Sequence, residues 1–276
     1  MWWFWGSRRG TVGPSAPATL VVAAANSRGP ALADVACDGF DDQVKIQQAI
    51  DALSGTGGRI VLREGTYHLS GSLFIRGSNI TLTGQGKGTR LFMSDGASAS
   101  TIVVDALGAG KPLEGVTIAD LSIDGNYRHQ RAGHGIELRA DPTNTVFDAL
   151  VRDCQVRYAF GSGIYASFTS EVIYSNCHLG FNLNGIEVAN SSESVITGCI
   201  ISEGRQDGIH IPNGSDITVT GCHMEGLDRF GMFLAADLCA VVGCMFFHNK
   251  QHASELGSVA IEAFLTHLAV DQQVAA

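Results

Sequence analysis

Apolar and polar residues alternate in short runs along much of this chain, and the runs return at a fixed interval. Gly163-Ile-Tyr-Ala, Gly185-Ile-Glu-Val, Gly208-Ile-His-Ile and Gly231-Met-Phe-Leu begin 22, 23 and 23 residues apart. Gly135-Ile-Glu-Leu belongs to the same series, one insertion earlier. A second series keeps the beat: Cys154, Cys177, Cys199, Cys222 and Cys244 are spaced 23, 22, 23 and 22. Each cysteine is expected inside another short strand, as in Val195-Ile-Thr-Gly-Cys-Ile. A unit of this size, with two or three short strands and glycine turns, cannot bury its apolar side alone. Stacked into a coil, with each strand paired to its equivalent one turn away, it can. Period-two alternation then sorts the side chains, sending Ile164, Ile186, Ile209 and Met232 inward and Tyr165, Glu187, His210 and Phe233 outward. The cysteines fall at an inward position and read as a column of small buried hydrophobes, not as a disulfide framework or a metal site. Cys37 and Cys239 stand outside the column.

A different period precedes the coils. Between Asp41 and Leu53 the apolar residues Ile46, Ala49, Ile50 and Leu53 follow a helical spacing, with Asp41 or Asp42 as N-cap and Gly55 to Gly58 as the stop. At the open end of a coil stack such a helix would cover strand edges that otherwise invite aggregation. Arg59-Ile-Val-Leu, Gly65-Thr-Tyr-His-Leu, Leu73-Phe-Ile and Asn79-Ile-Thr-Leu-Thr then read as the first coils. The chain divides into a lead segment at 1–34, one coil domain at 35–265 and a tail at 266–276.

Composition narrows the class of partner. Of 276 residues, 45% are hydrophobic and 16% charged, a folded composition, and 34 glycines against 6 prolines suit many tight turns. The net charge of −9 leaves no basic footprint for nucleic acid. It also disfavours tight binding of a polyanionic sugar unless a local basic patch or a bridging cation compensates. A neutral or calcium-bridged glycan fits better. No apolar run reaches the ~18 residues of a membrane span. All three tryptophans lie in Met1-Trp-Trp-Phe-Trp, followed by Arg8 and Arg9, which puts the charges on the wrong side for a signal peptide. This start is expected to dock on the body, stay flexible or make an oligomer contact, and the compartment stays open.

The string Cys37-Asp-Gly-Phe-Asp-Asp, then Ile46-Gln-Gln-Ala-Ile-Asp-Ala-Leu, then Gly57-Gly-Arg-Ile-Val-Leu-Arg-Glu-Gly-Thr-Tyr resembles the N-terminal cap and first coil of the pectate-lyase-like superfamily. Its members include polygalacturonases, pectate lyases, alginate epimerases and phage tailspikes. Residues 116–265 are similar to the β-helix repeat found across that superfamily. The resemblance implies an all-β, single-stranded right-handed parallel β-helix with an N-terminal capping α-helix. It also implies a polysaccharide partner and, by fold analogy, an extracellular or virion setting. Enzymes of the superfamily are mostly monomers, whereas a tailspike would be a homotrimer.

Repeat arithmetic places the loops. The cysteine-to-glycine gap is usually 8 or 9 residues, but it is 14 from Leu121 to Gly135 and 14 from Cys244 to Ser258. Loops 124–134 and 248–255 are therefore long on one edge of the stack. The stretch from Gly135 to Cys154 spans 19 and puts a third long loop, 140–148, on the opposite edge. Such loops bound a groove. Between them run Glu137, Tyr165, Glu187, His210 and Phe233 in one outward column, with Arg139 on the same face and His134, Ser162, Asn184 and Asp207 at the turn before each glycine.

Glu137, Glu187, Asp207 and His210 are the candidate acid–base residues. Glu137 and Glu187 lie two coils apart, roughly 10 Å at the backbone, near the separation inverting glycosidases use to admit a water. Asp207 beside Glu187 would raise one carboxyl's pKa by like-charge proximity. His134, Arg139, Tyr165, Asn184 and Phe233 are candidate sugar-binding residues, with Tyr127 and His129 from the overhanging loop; exposed aromatics suit the apolar faces of sugars. Solvated surface is the bland alternative for the whole column.

Family motifs match in part. Asp207-Gly-Ile-His-Ile resembles the polygalacturonase segment that follows Asn-Thr-Asp, whose aspartate is catalytic, but Arg205 and Gln206 stand where Asn-Thr would be. Leu227-Asp228-Arg229 replaces the paired aspartates, Gly133-His134-Gly135 comes before Asp207 instead of after it, and the Arg-Ile-Lys signature is missing. Asp141-Pro142 is followed by Thr143, unlike the epimerase Asp-Pro-His. No cofactor is expected. Calcium is open through Asp120, Asp124 and Asp153, without a clear motif, and no other metal site is expected. The expected function is a carbohydrate-active β-helix of hydrolase, lyase or epimerase type, or else a non-catalytic adhesin or tailspike-like virion protein.

Overall fold

The computed structural model describes residues 19–250, together with the backbones of the strands Val259–Ile261 and Ala269–Asp271. The tryptophan-rich start, residues 251–255 of the second long loop and the rest of the tail lie outside the described residues. Short strands stack into three parallel sheets, here sheet A of fourteen strands and sheets B and C of eight each. One coil runs through Leu150–Arg152 in sheet A, Gln155–Arg157 in sheet B and Ile164–Ser167 in sheet C. The next repeats it as Ile173–Ser175, His178–Gly180 and Ile186–Ala189.

The register reproduces the sequence period. Ile164 pairs with Ile186, Ile186 with Ile209, and Ile209 with Met232. All four are wholly buried, as alternation requires, in an apolar core that extends from Val22 to Val241. The fold is an all-β parallel helix, and its few helices are peripheral.

Helix α1 spans Asp42–Leu53 and buries Ile46, Ala49, Ile50 and Leu53. It lies against Gly65–Leu69 and Leu73–Ile75, the terminal strands of sheets B and C. Its start differs from the simple expectation. Asp41 holds the N-cap position in a left-handed backbone and makes no side-chain cap. The buried Asp42 carboxylate instead accepts from the amides of Gly39 and His68, both at 2.9 Å, which ties the helix to the first sheet B strand. The lead segment joins the stack before its predicted boundary: Thr19–Ala23 pairs in parallel with Arg59–Leu62, and Val35–Ala36 pairs with it in turn.

The cysteine column is present, and its members are free. Cys154, Cys177, Cys199 and Cys222 are buried, while Cys244 is partly open. They do not lie within strands, however. Each follows a residue in the left-handed conformation, namely Asp153, Asn176, Gly198, Gly221 and Gly243, at the corner between sheets A and B. Asp, Asn and Gly are the residues that enter that region most readily, so the corner breaks the strand one residue before the thiol. Each thiol then bonds a carbonyl of the preceding coil, as Cys199 does to Tyr174 at 3.8 Å. Hydrogen bonding from Cys177, together with burial, pushes the Cys199 thiol up to about 12.

Candidate functional site

The outward column of sheet C is continuous in register: Glu137 pairs with Tyr165, Tyr165 with Glu187, Glu187 with His210, and His210 with Phe233. Loop 124–134 leads into this sheet from sheet B, and loop 140–148 leads away from it toward sheet A. The column is more occluded than a freely solvated surface. Glu137 is buried, and Tyr165, Glu187, His210 and Phe233 are each part-covered.

The turn residues explain the occlusion. Ser100, His134, Asn184 and Asp207 each use a side-chain acceptor to bind the amide of the turn residue one coil on. The Ser100 hydroxyl accepts from His134, His134 Nδ1 from Ser162, Asn184 Oδ1 from Asp207, and Asp207 Oδ1 from Phe230, at 3.0, 3.0, 3.0 and 3.1 Å. This ladder satisfies backbone donors at a corner where no strand can. It also buries Asn184 and Asp207, which places both behind the face and out of direct contact with a ligand.

The same turn residues hold the column's charged groups. Ser162 Oγ donates to Glu187 Oε2 at 2.6 Å, and Asn184 Nδ2 donates to the same oxygen at 3.0 Å. Asp207 Oδ2 meets His210 Nδ1 at 2.8 Å, and Arg229 Nε lies 3.5 Å from Asp207 Oδ1. The expected opposition of Asp207 and Glu187 is thus replaced by separate partners: Asp207 serves His210, and Glu187 is held by neutral donors.

Glu137 has a different setting. Arg139 clamps it with two hydrogen bonds, 2.8 and 3.0 Å, and Ser100 Oγ adds a third at 2.6 Å. Burial works to raise this carboxyl, but the Arg139 and Ser100 bonds outweigh it and hold Glu137 below the ordinary glutamate value. A carboxylate kept ionised in this way is poorly suited to act as the general acid opposite Glu187.

Rings flank the central carboxylate. His134 stacks on Tyr165 with centroids 4.6 Å apart, and His210 stacks on Phe233 at 4.9 Å. Burial lowers the His134 pKa, and its Nδ1 accepts an amide, so the ring is a neutral stacking partner at pH 7. Tyr127 lies in a short turn of the overhanging loop and stacks on Tyr158, away from the column residues, while His129 faces Asp95 at 3.4 Å. The sequence reading missed Ser100, Arg229 and Phe230. Ser100 holds the turn position of the coil before the glycine series and Phe230 that of its last member, Gly231, a position the spacing already marked.

Asp120 and Asp153 converge on Arg152, and Asp124 pairs with Arg90. Among the described residues no group of three or more His, Cys, Asp or Glu side chains is placed to hold a metal ion. Among them, too, no helix is long and apolar enough to cross a membrane.

Comparison with known proteins agrees with this architecture. The family described as "Right handed beta helix region" matches residues 143–267. No curated sequence matches. The ORF18 protein of Geobacillus virus E2 superposes with a TM-score of 0.53 at 17% identity, covering 91% of this chain; the chain spans only 61% of that protein. The A-module of the mannuronan C-5 epimerase AlgE4 from Azotobacter vinelandii gives 0.55 at 19% identity, covering 87% of this chain and 81% of the module. The N-terminal fragment of bacteriophage Phi29 gene product 12 gives 0.64 at 16% identity, covering 83% of this chain and 44% of the fragment. This chain has the right-handed parallel β-helix fold.

Proposed function

We propose that the chain binds polysaccharide along sheet C and acts on it by acid–base chemistry, with Glu187 and His210 as the reacting groups. The observation that carries this reading is their setting on neighbouring strands. Glu187 is held by Ser162 and Asn184, and His210 by the buried Asp207. With Nδ1 engaged by Asp207, Nε2 is the ring nitrogen left to exchange a proton with a ligand. Asp207 is then a positioning residue that keeps the imidazole in one tautomer, Glu137 with Arg139 binds and orients, and Tyr165 and Phe233 stack on sugar rings. Likeness to a mannuronan epimerase module supports a polysaccharide substrate.

The test is a polysaccharide panel followed for reducing ends, for ultraviolet absorbance of unsaturated products and for sugar-ring configuration by NMR. Reducing ends alone indicate hydrolysis, reducing ends with absorbance a lyase, and altered configuration without cleavage an epimerase. Glu187→Gln and His210→Gln are each expected to lower the observed rate by ~10²-fold or more.

A second reading, a non-catalytic polysaccharide-binding virion component, is favoured by the clamped Glu137 and by the likeness to two viral structures. It takes over if the panel shows binding without any chemical change, and it goes with a trimer in sedimentation where the enzyme reading goes with a monomer.

A further inference from the structure

A second cluster lies at the corner between sheets B and C, outside the acid–base column. Tyr127, Tyr158 and Phe181 stack in series on successive coils, with centroids 6.1 and 5.0 Å apart and planes inclined by 19° in both pairs. Tyr158 and Phe181 adopt positive φ, 59° and 58°. For bulky side chains this conformation is strained, and such strain persists where the surrounding structure holds it in place.

Three guanidinium groups surround the ladder. Arg205 lies 4.8 Å and Arg128 5.9 Å from the Tyr127 ring, and Arg157 lies 5.5 Å from the Phe181 ring. Among the described residues none of the three forms an ion pair, whereas Arg76, Arg90, Arg139 and Arg152 each do. The carboxylates beside the loop are already engaged, Asp124 by Arg90 and Asp95 by Asn126 and His129. Glu203 continues the corner one coil past Phe181 and bounds the patch on that side. Arg205 also keeps a buried Nε without a hydrogen-bond partner. In a chain of net charge −9, three uncompensated cations gathered around one aromatic stack form a local exception.

We infer that this corner is an anion-selective subsite for an acidic saccharide, with Arg128 and Arg157 meeting the carboxylate or sulfate group and the aromatic ladder supporting the sugar ring. Guanidinium forks match such planar or tetrahedral oxyanions, and ring edges and faces supply apolar contact beside them. The overall negative charge favours a short acidic segment over a long polyanion such as nucleic acid. The carbohydrate character of the ligand rests on the polysaccharide reading above; its charge rests on the guanidinium groups.

Calorimetric titration separates the two. The probes are acidic oligosaccharides, both uronate and sulfated, with their carboxyl-reduced or desulfated counterparts and a single-stranded oligonucleotide. The proteins are the full chain, its Arg128→Gln/Arg157→Gln double variant and Glu187→Gln. Arg128 and Arg157 are exposed, so the double variant should fold normally. At low salt the wild type is expected to prefer an acidic form over its neutral counterpart by at least tenfold. The double variant should lose that preference and Glu187→Gln should keep it. Equal affinity for acidic and neutral forms, or a preference that survives in the double variant, overturns the subsite. Oligonucleotide binding as tight as that of the acidic sugar overturns its assignment to saccharide. A retained preference with no turnover on any glycan leaves the subsite standing and removes only the enzymatic reading.

Discussion

At the residue scale, Glu137 shows how one side chain changes meaning between sequence and structure. Alternation correctly puts it in the column with Glu187, and the register sets the two exactly two strands apart through Tyr165. What alternation cannot show is which neighbour neutralises each carboxylate, because that depends on rotamers and on Ser100 and Ser162 reaching across from other coils. The Arg139 clamp makes Glu137 part of the fold's pH response. Its folded pKa is depressed, so its contribution to stability is present above the unfolded value of about 4.3 and is lost as pH falls through the lower folded value. Burial of neutral His134 has the same sign, since charging that ring below its unfolded pKa of ~6.5 also opposes folding. Glu137→Gln should therefore cost about 2 kcal/mol at pH 7, mainly by leaving Arg139 without its partner. That deficit should shrink at pH 3, below the unfolded glutamate value, where the stabilisation from the ionised group in the wild type is already declining. Urea melts of both proteins at the two pH values measure it, and an equal deficit at both would show that the clamp is not what stabilises this corner.

At the element scale, the strand period was legible and the corners were not. The 22–23 residue beat is carried by inward apolar residues that must stack on one another, so it survives in the sequence as a visible rhythm. The corner before each cysteine is carried by a backbone conformation that Asp153, Asn176 and Gly198 all satisfy, and three different letters conceal one geometric requirement. The same holds for the turn ladder, in which Ser100, His134, Asn184 and Asp207 perform one hydrogen-bonding task with four kinds of side chain. Gly221 offers a clean test of the corner. Its φ is +61° and a Cβ there would meet nothing within 4 Å, so backbone strain alone decides the outcome of a substitution. Gly221→Asn should be close to neutral, as the natural Asn176 implies, while Gly221→Val should cost about 1–2 kcal/mol. Thermal melts compare the two, and a Val variant as stable as the Asn variant would show that the corner tolerates any residue.

At the scale of the whole molecule, the coils are quasi-equivalent, and each touches chiefly its two neighbours. Stability is then close to a sum of coil and interface contributions, so an entire coil should be removable where half a coil is not. Deleting residues 173–194 joins Val172 to Val195, which normally stands one register step beyond Ile173. Leu150 would then face Val195, Ile164 would face Ile209, and Tyr165 would face His210, with every inward position still apolar. Deleting only 173–183 moves sheet C residues onto sheet A positions and places the cysteine corner inside a strand. The full-coil variant should keep a β-type circular dichroism spectrum and a cooperative melt at a modestly lower temperature, and the half-coil variant should unfold or aggregate. The same full-coil deletion removes Asn184 and Glu187 from the centre of the column, and Phe181 with them from the aromatic corner. A folded full-coil variant should thus lose turnover on any substrate of the panel, and it should bind acidic sugar more weakly. If it folds and still turns substrate over, the chemistry does not reside on Glu187. If it fails to fold while Glu187→Gln folds normally, the coils are not interchangeable, and stability depends on contacts beyond nearest neighbours.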